Sequence, residues 1–166
     1  YWGCVLGGIV PVIAAVPPSY SQPNRGLEQL RHVWEILDRP PLMTSGQLSS
    51  DVASLGGAGS SEAVKVLTVE DLLGHEPDGE HWRCEPEDAV FFALTSGSTS
   101  APKCVVLTHR NVLSRAAGAN ERCARTSDCI ALNWLPLDHI GTISDWHVRC
   151  VLLGCRVIYA PKEYVI

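Results

Sequence analysis

Nine residues, Thr95 to Lys103, carry five hydroxyl side chains, one glycine and one lysine. They read Thr95-Ser96-Gly97-Ser98-Thr99-Ser100-Ala101-Pro102-Lys103. Small residues let backbone N–H groups turn toward an anion, hydroxyls add donors, and a lysine adds positive charge. The stretch is chemically suited to cradle a phosphate. The same residue types fill polar turns, so a plain hairpin loop is an equal reading of the composition alone. The G-x-x-x-x-G-K-[ST] spacing of a Walker-type loop is absent, which disfavours an unrelated nucleotide hydrolase.

Other residues could do chemistry. His139 stands in Leu135-Pro136-Leu137-Asp138-His139-Ile140-Gly141, where by itself it reads as a cap for the following helix. His109 reads as a helix-start residue rather than a base. Asp138 and Asp145 read as caps or solvated surface, and Trp134 and Trp146 as core. The seven cysteines never form a C-x-x-C pair, which argues against a zinc site or a disulfide framework. Most sit beside Val, Ile or Leu, and a reducing, cytoplasmic compartment is expected.

These residues must be positioned by an alternation of strands and helices. Ile9–Ala15 reads as a buried strand before a proline-rich loop. A helix is expected from Asn24, with Leu27, Leu30, Val33, Trp34 and Leu37 at helical spacing, stopped at Pro40-Pro41. Leu42–Thr44 and Lys65–Val69 read as strands, with a Gly/Ser-rich region holding a short helix between them and a polar loop, Gly74–Glu87, after them. Strand Ala89–Leu94 then runs into the hydroxyl loop, and strand Cys104–Thr108 follows it. Helix Asn111–Arg125, strand Ile130–Leu135, helix Ile140–Leu153 and strand Arg156–Ala160 complete the order. Such alternation implies an α/β fold, a layered and mostly parallel sheet with helices on both faces.

Composition bounds the function. The 166 residues are 46% hydrophobic and 19% charged, enough for one domain with a core. A net charge of −5 argues against nucleic acid as a partner. No apolar run approaches the roughly 18 residues of a membrane span.

The loop and its continuation, Cys104-Val105-Val106-Leu107-Thr108-His109-Arg110-Asn111, resemble the phosphate-binding signature of the adenylate-forming superfamily. That superfamily includes acyl-CoA ligases, nonribosomal peptide synthetase adenylation domains and fatty acyl-AMP ligases. The signature runs approximately [ST]-S-G-[ST]-T-G-x-P-K-G and then T-H-x-N; eight of its ten positions fit here. Ser100 and Cys104 replace two glycines. Trp2–Val12 is similar to the family's upstream helix–Gly–strand element, and Leu135–Gly141 to its P-L-x-H-x-x-G segment.

The resemblance implies an ATP-dependent carboxylic acid ligase that forms an acyl-adenylate and passes the acyl group to a thiol, on CoA or a phosphopantetheinyl carrier protein. It implies that Thr95, Ser96, Gly97, Ser98, Thr99 and Ser100 wrap the ATP phosphates, with Thr99 helping to hold Mg2+. Lys103 would add a point charge, the bland alternative being a solvated strand-edge lysine. His139 would lie near the acyl group or α-phosphate. A fatty or aryl acid is expected ahead of an amino acid, because the segment that would grip an α-amino group has no clear match. The family's Y-G-x-T-E segment and late catalytic lysine have no counterpart in these residues. The chain is therefore expected to be a fragment of one AMP-binding domain, 1–166, part of the large N-terminal domain and inactive alone. The competing expectation is a degenerate module with a binding or structural role.

Overall fold

The computed structural model describes residues 1–57, 63–95 and 102–165. The chain forms two compact units. One gathers Tyr1–Ile13, His81–Thr95 and the chain from Cys104 onward, and the other is built on Ala14–Glu80.

In the second unit, helix α2 (Arg25–Ile36) starts where Asn24, in extended backbone, accepts the Leu27 N–H on its side chain at 2.9 Å. This satisfies one of the N–H groups that a helix start leaves without a partner. Its apolar face puts Leu27 and Trp34 into a core with Leu55 and Val64. The Trp34 indole N–H donates to the Pro40 carbonyl at 2.9 Å, tying the helix to the proline pair that ends it. Strands β1 (Leu42–Thr44) and β2 (Val66–Thr68) pair in parallel, Leu42 opposite Val66, with α3 (Ser49–Ala53) packed against both. Helix α4 (Val69–Leu73) leaves β2 directly, capped by the Thr68 hydroxyl on the Asp71 N–H.

The first unit is built around the apolar strand that precedes the hydroxyl loop. It opens with α1 (Trp2–Leu6). The expected strand over Ile9–Ala15 is not formed. Only Val12 pairs, as a parallel bridge to Phe92, and Ile9 is 62% exposed. Pro11 has no N–H for a ladder, although its carbonyl still accepts from Phe92 at 3.0 Å. Strand β3 (Ala89–Thr95) carries Val90, Phe91 and Ala93 into a core with Val112 and Ala116 of α5 (His109–Arg122). Strand β4 (Lys103–Thr108) pairs with β3. Strands β5 (Ile130–Asn133) and β6 (Arg156–Tyr159) pair in parallel, Ile130 opposite Arg156. Ala131 and Asn133 of β5 are buried, while Ile130 and Leu132 stay open to solvent. This strand pair is thus covered on one face among the described residues, not on both as alternation implied.

Between β5 and β6 the expected helix is present but underwound in part. Thr142–Val148 forms a π-helical turn that runs into α6 (Arg149–Leu153). Such turns shift side chains out of α-helical register. Here Ile143 and Val148 meet the β3 core, and Asp145 faces α5, where Arg115 donates Nε to Oδ1 and Nη2 to Oδ2 at 3.0 Å each. Asp145 is therefore an ion-pair partner, and the pair raises the Arg115 pKa. Gly154, at φ 72°, makes the left-handed turn into β6.

His147, on the same turn, is locked by two neighbours. The Trp2 indole N–H donates to its Nε2 at 2.6 Å, and its Nδ1 meets the Tyr159 hydroxyl. An indole nitrogen can only donate, so Nε2 must be unprotonated and the ring neutral. Burial holds the His147 pKa below the usual 6.5. The folded chain thus binds fewer protons here than the unfolded one. Its contribution to stability is whole above about pH 6.5 and is lost as pH falls through the depressed folded value.

Two outcomes follow for stability. Asn24→Ala should cost about 1 kcal/mol in chemical denaturation. The thermal midpoint should drop as pH is lowered from about 7.5 to about 5, and His147→Phe, which cannot titrate, should flatten that slope.

Candidate active site

The site grows from the ends of β3 and β4. The β3 apolar side chains are held in the core up to Ala93, and Thr95 emerges exposed as the strand's last residue. Lys103 opens β4 and is likewise exposed. Ser96, Gly97, Ser98, Thr99 and Ser100 lie outside the described residues. The far end of β4 is set by a capping box. The Thr108 hydroxyl accepts the Asn111 N–H at 3.2 Å, and the Asn111 side chain accepts the Thr108 N–H at 3.1 Å. The T-H-x-N pattern therefore has a local reason: Thr108 and Asn111 start helix α5. His109 is its first residue, as expected, and lies at the end of β4 remote from Lys103.

His139 precedes the π-helical turn. Its Nδ1 accepts the Gly141 N–H at 3.1 Å, and its carbonyl accepts the Thr142 N–H at 2.9 Å. The capping reading is thus observed. It also fixes the ring's chemistry: with Nδ1 accepting, a neutral imidazole carries its proton on Nε2, which becomes a donor suited to an anionic oxygen. Exposed His139 can offer that donor outward. Asp138 is exposed, and Trp134 and Trp146 are half-buried rather than core.

Sequence reasoning missed three buried polar groups on β5 and the helical segment that follows His139. Asn133, at the C-terminal end of β5, is 2% exposed; its Oδ1 accepts the Leu135 N–H at 3.0 Å, but its Nδ2 has no partner among the described residues. Thr142 is fully buried, its hydroxyl without a partner among the described residues. Arg149 is 7% exposed, its guanidinium 5.7 Å from the Trp146 ring centre and its Nε unpartnered. Buried polar atoms left single cost stability, and such orphans call for an explanation. The carboxyl ends of parallel strands are where α/β sheets take ligands, and that rule could have singled out Asn133.

Among the described residues no three His, Cys, Asp or Glu gather to hold a metal ion, and no helix is long and apolar enough to cross a membrane.

Because the Thr142 hydroxyl is buried without a partner, Thr142→Val should leave the thermal midpoint unchanged or higher. A fall by several degrees would show that the hydroxyl has a structural partner after all.

Comparison with known proteins places this arrangement. Residues 21–165 match the family model described as "AMP-binding enzyme". The chain is 26% identical to atromentin synthetase greA of Suillus grevillei over 99% of its own length, and spans 17% of that protein. It superposes with a TM-score of 0.91 on the adenylation domain of a keto acid-selecting NRPS module bound to keto acyl adenylate, at 37% identity, covering 98% of this chain and 29% of that one. McyG A-PCP complexed with phenylalanyl-adenylate gives 0.92 at 38% identity, over 99% of this chain and 26% of that one. With an extended family match, a shared α/β fold and identity well above what fold likeness alone requires, the chain belongs to the AMP-binding enzyme family of adenylate-forming domains.

Proposed function

We propose that this chain supplies the ATP phosphate loop and part of the acyl pocket of a carboxylic acid-activating ligase. The observation that carries the reading is a hydroxyl-rich loop set between two paired strands, Thr95 ending one and Lys103 opening the next, in a chain of this family. In the reaction a carboxylate oxygen attacks the α-phosphorus of ATP, pyrophosphate leaves, and an acyl-adenylate forms. The protein's task is to hold two anions together and to meet developing charge with fixed donors.

Thr95, Ser96, Gly97, Ser98, Thr99 and Ser100 surround the β- and γ-phosphates, and Lys103 adds a positive charge. The donor set fits ATP: hydroxyls, small residues and one cation, with no carboxylate among them to repel phosphate. Mg2+ would be held with help from the Thr99 hydroxyl and would supply positive charge to neutralise phosphate oxygens. His139 donates from Nε2 to the acyl carboxylate or α-phosphate. The acyl group then passes to a thiol, a carrier-protein phosphopantetheine being favoured over CoA by the likeness to McyG A-PCP.

Nothing in the relatives supports the fatty or aryl acid expected from the sequence. The likeness to a keto acid-selecting domain favours a keto acid. A second reading, a degenerate module, is favoured by Ser100 and Cys104, which stand where the family signature has glycine.

The test is ATP–pyrophosphate exchange by the full-length protein with keto, aryl, fatty and amino acids. A keto acid should give the highest rate. Lys103→Ala should lower kcat/KM by about 100-fold and His139→Phe by about tenfold, in line with the loss of a transition-state donor. No exchange with any acid would leave the degenerate module standing.

A further inference from the structure

At the end of β3 remote from Thr95 lies a cavity of about 220 Å3 within the first unit. Val5, Ile9 and Val90 form an apolar wall, and Trp82 closes one side. That wall is preformed. The Trp82 N–H donates to the Leu6 carbonyl at 2.7 Å, and its indole sits so close over Gly8 that a Cβ there would fall 2.7 Å from the ring. Gly8 has φ 71°, so only glycine suits the position in both backbone and space.

Two reactive side chains line the same cavity. The Cys84 Sγ lies 3.9 Å from His109 Nδ1, and Cys84 is exposed. The segment bearing Cys84 is pinned to the start of α5: the His109 N–H donates to the Asp88 carbonyl at 3.1 Å and the Arg110 N–H to the Pro86 carbonyl at 2.8 Å. Arg110 also pairs with Glu87. The thiol and the imidazole are thus fixed by separate elements, as a nucleophile and its base must be.

We propose that Cys84 and His109 form a thiol-modification site for small α,β-unsaturated carbonyl compounds with an apolar body. Nδ1 accepts the thiol proton, and the sulfur forms a C–S bond to the β-carbon of the alkene. The alkene's π pair moves to the carbonyl, and the resulting enolate takes the proton back from His109. Nothing leaves, and no oxidant or reductant is needed. The apolar body of the electrophile occupies the cavity against Trp82 and Val90. The site stands apart from acid activation and does not depend on it.

Cys123, the other exposed cysteine, is the internal comparison. The full-length protein is treated with limiting N-phenylmaleimide or N-methylmaleimide, and the Cys84 and Cys123 peptides are quantified by mass spectrometry. Cys84 should react about tenfold faster than Cys123, and His109→Gln should remove that advantage while leaving the Cys123 rate unchanged. Cys84 should also favour the phenyl reagent over the methyl one about fivefold more than Cys123 does, through burial of the ring. This second measurement needs no variant. Equal rates at the two thiols, an advantage that survives His109→Gln, or no phenyl preference at Cys84 would overturn the proposal.

Discussion

Burial of β3 is the constraint on which the first unit depends. Val90, Phe91 and Ala93 are taken out of water against Val112 and Ala116 of α5 and against Ile143 and Val148 of the π-helical turn and the residues around it. Each large side chain so buried is worth about 1.5–3 kcal/mol, far more than any single exposed ion pair in this unit. The same packing decides where the chain leaves the core. Thr95 emerges at one end of the strand, while at the other the Asp88 carbonyl receives the His109 N–H. The residue that opens the hydroxyl loop, Thr95, and the segment that carries Cys84 to His109 thus lie at opposite ends of one buried strand.

The region around β5 follows a different rule. There the fold leaves polar atoms unpaired: Nδ2 of Asn133, the Thr142 hydroxyl and Nε of Arg149. A chain optimised for stability alone would replace them with apolar groups. The π-helical turn belongs to the same economy. It aims Asp145 at Arg115 and His147 at Trp2, bonds that an even α-helix would have to reach from other positions.

Much of the local order could be read from residue types. Asn24 and Thr108 start helices because their side chains satisfy orphan N–H groups three residues on. Pro40-Pro41 follows the end of α2 because proline cannot extend a helix. Ile9–Ala15 misled, since an apolar run reads as a strand, yet Pro11 cannot donate to a ladder and only Val12 pairs. Asp145 read as surface because its partner, Arg115, is thirty residues away on another helix.

The sequence by itself determined the family, most of the order of elements from α2 onward, and the residue types between Thr95 and Lys103 that make a candidate loop, because these depend on residue types at short spacing. Tertiary structure decided which groups meet. It set the Cys84 thiol beside the His109 imidazole, twenty-five residues on, and ringed His147 with Trp2 and Tyr159. It also left Nδ2 of Asn133 and the Thr142 hydroxyl buried without partners among the described residues. Such encounters are fixed by packing between distant segments, and no local propensity records them.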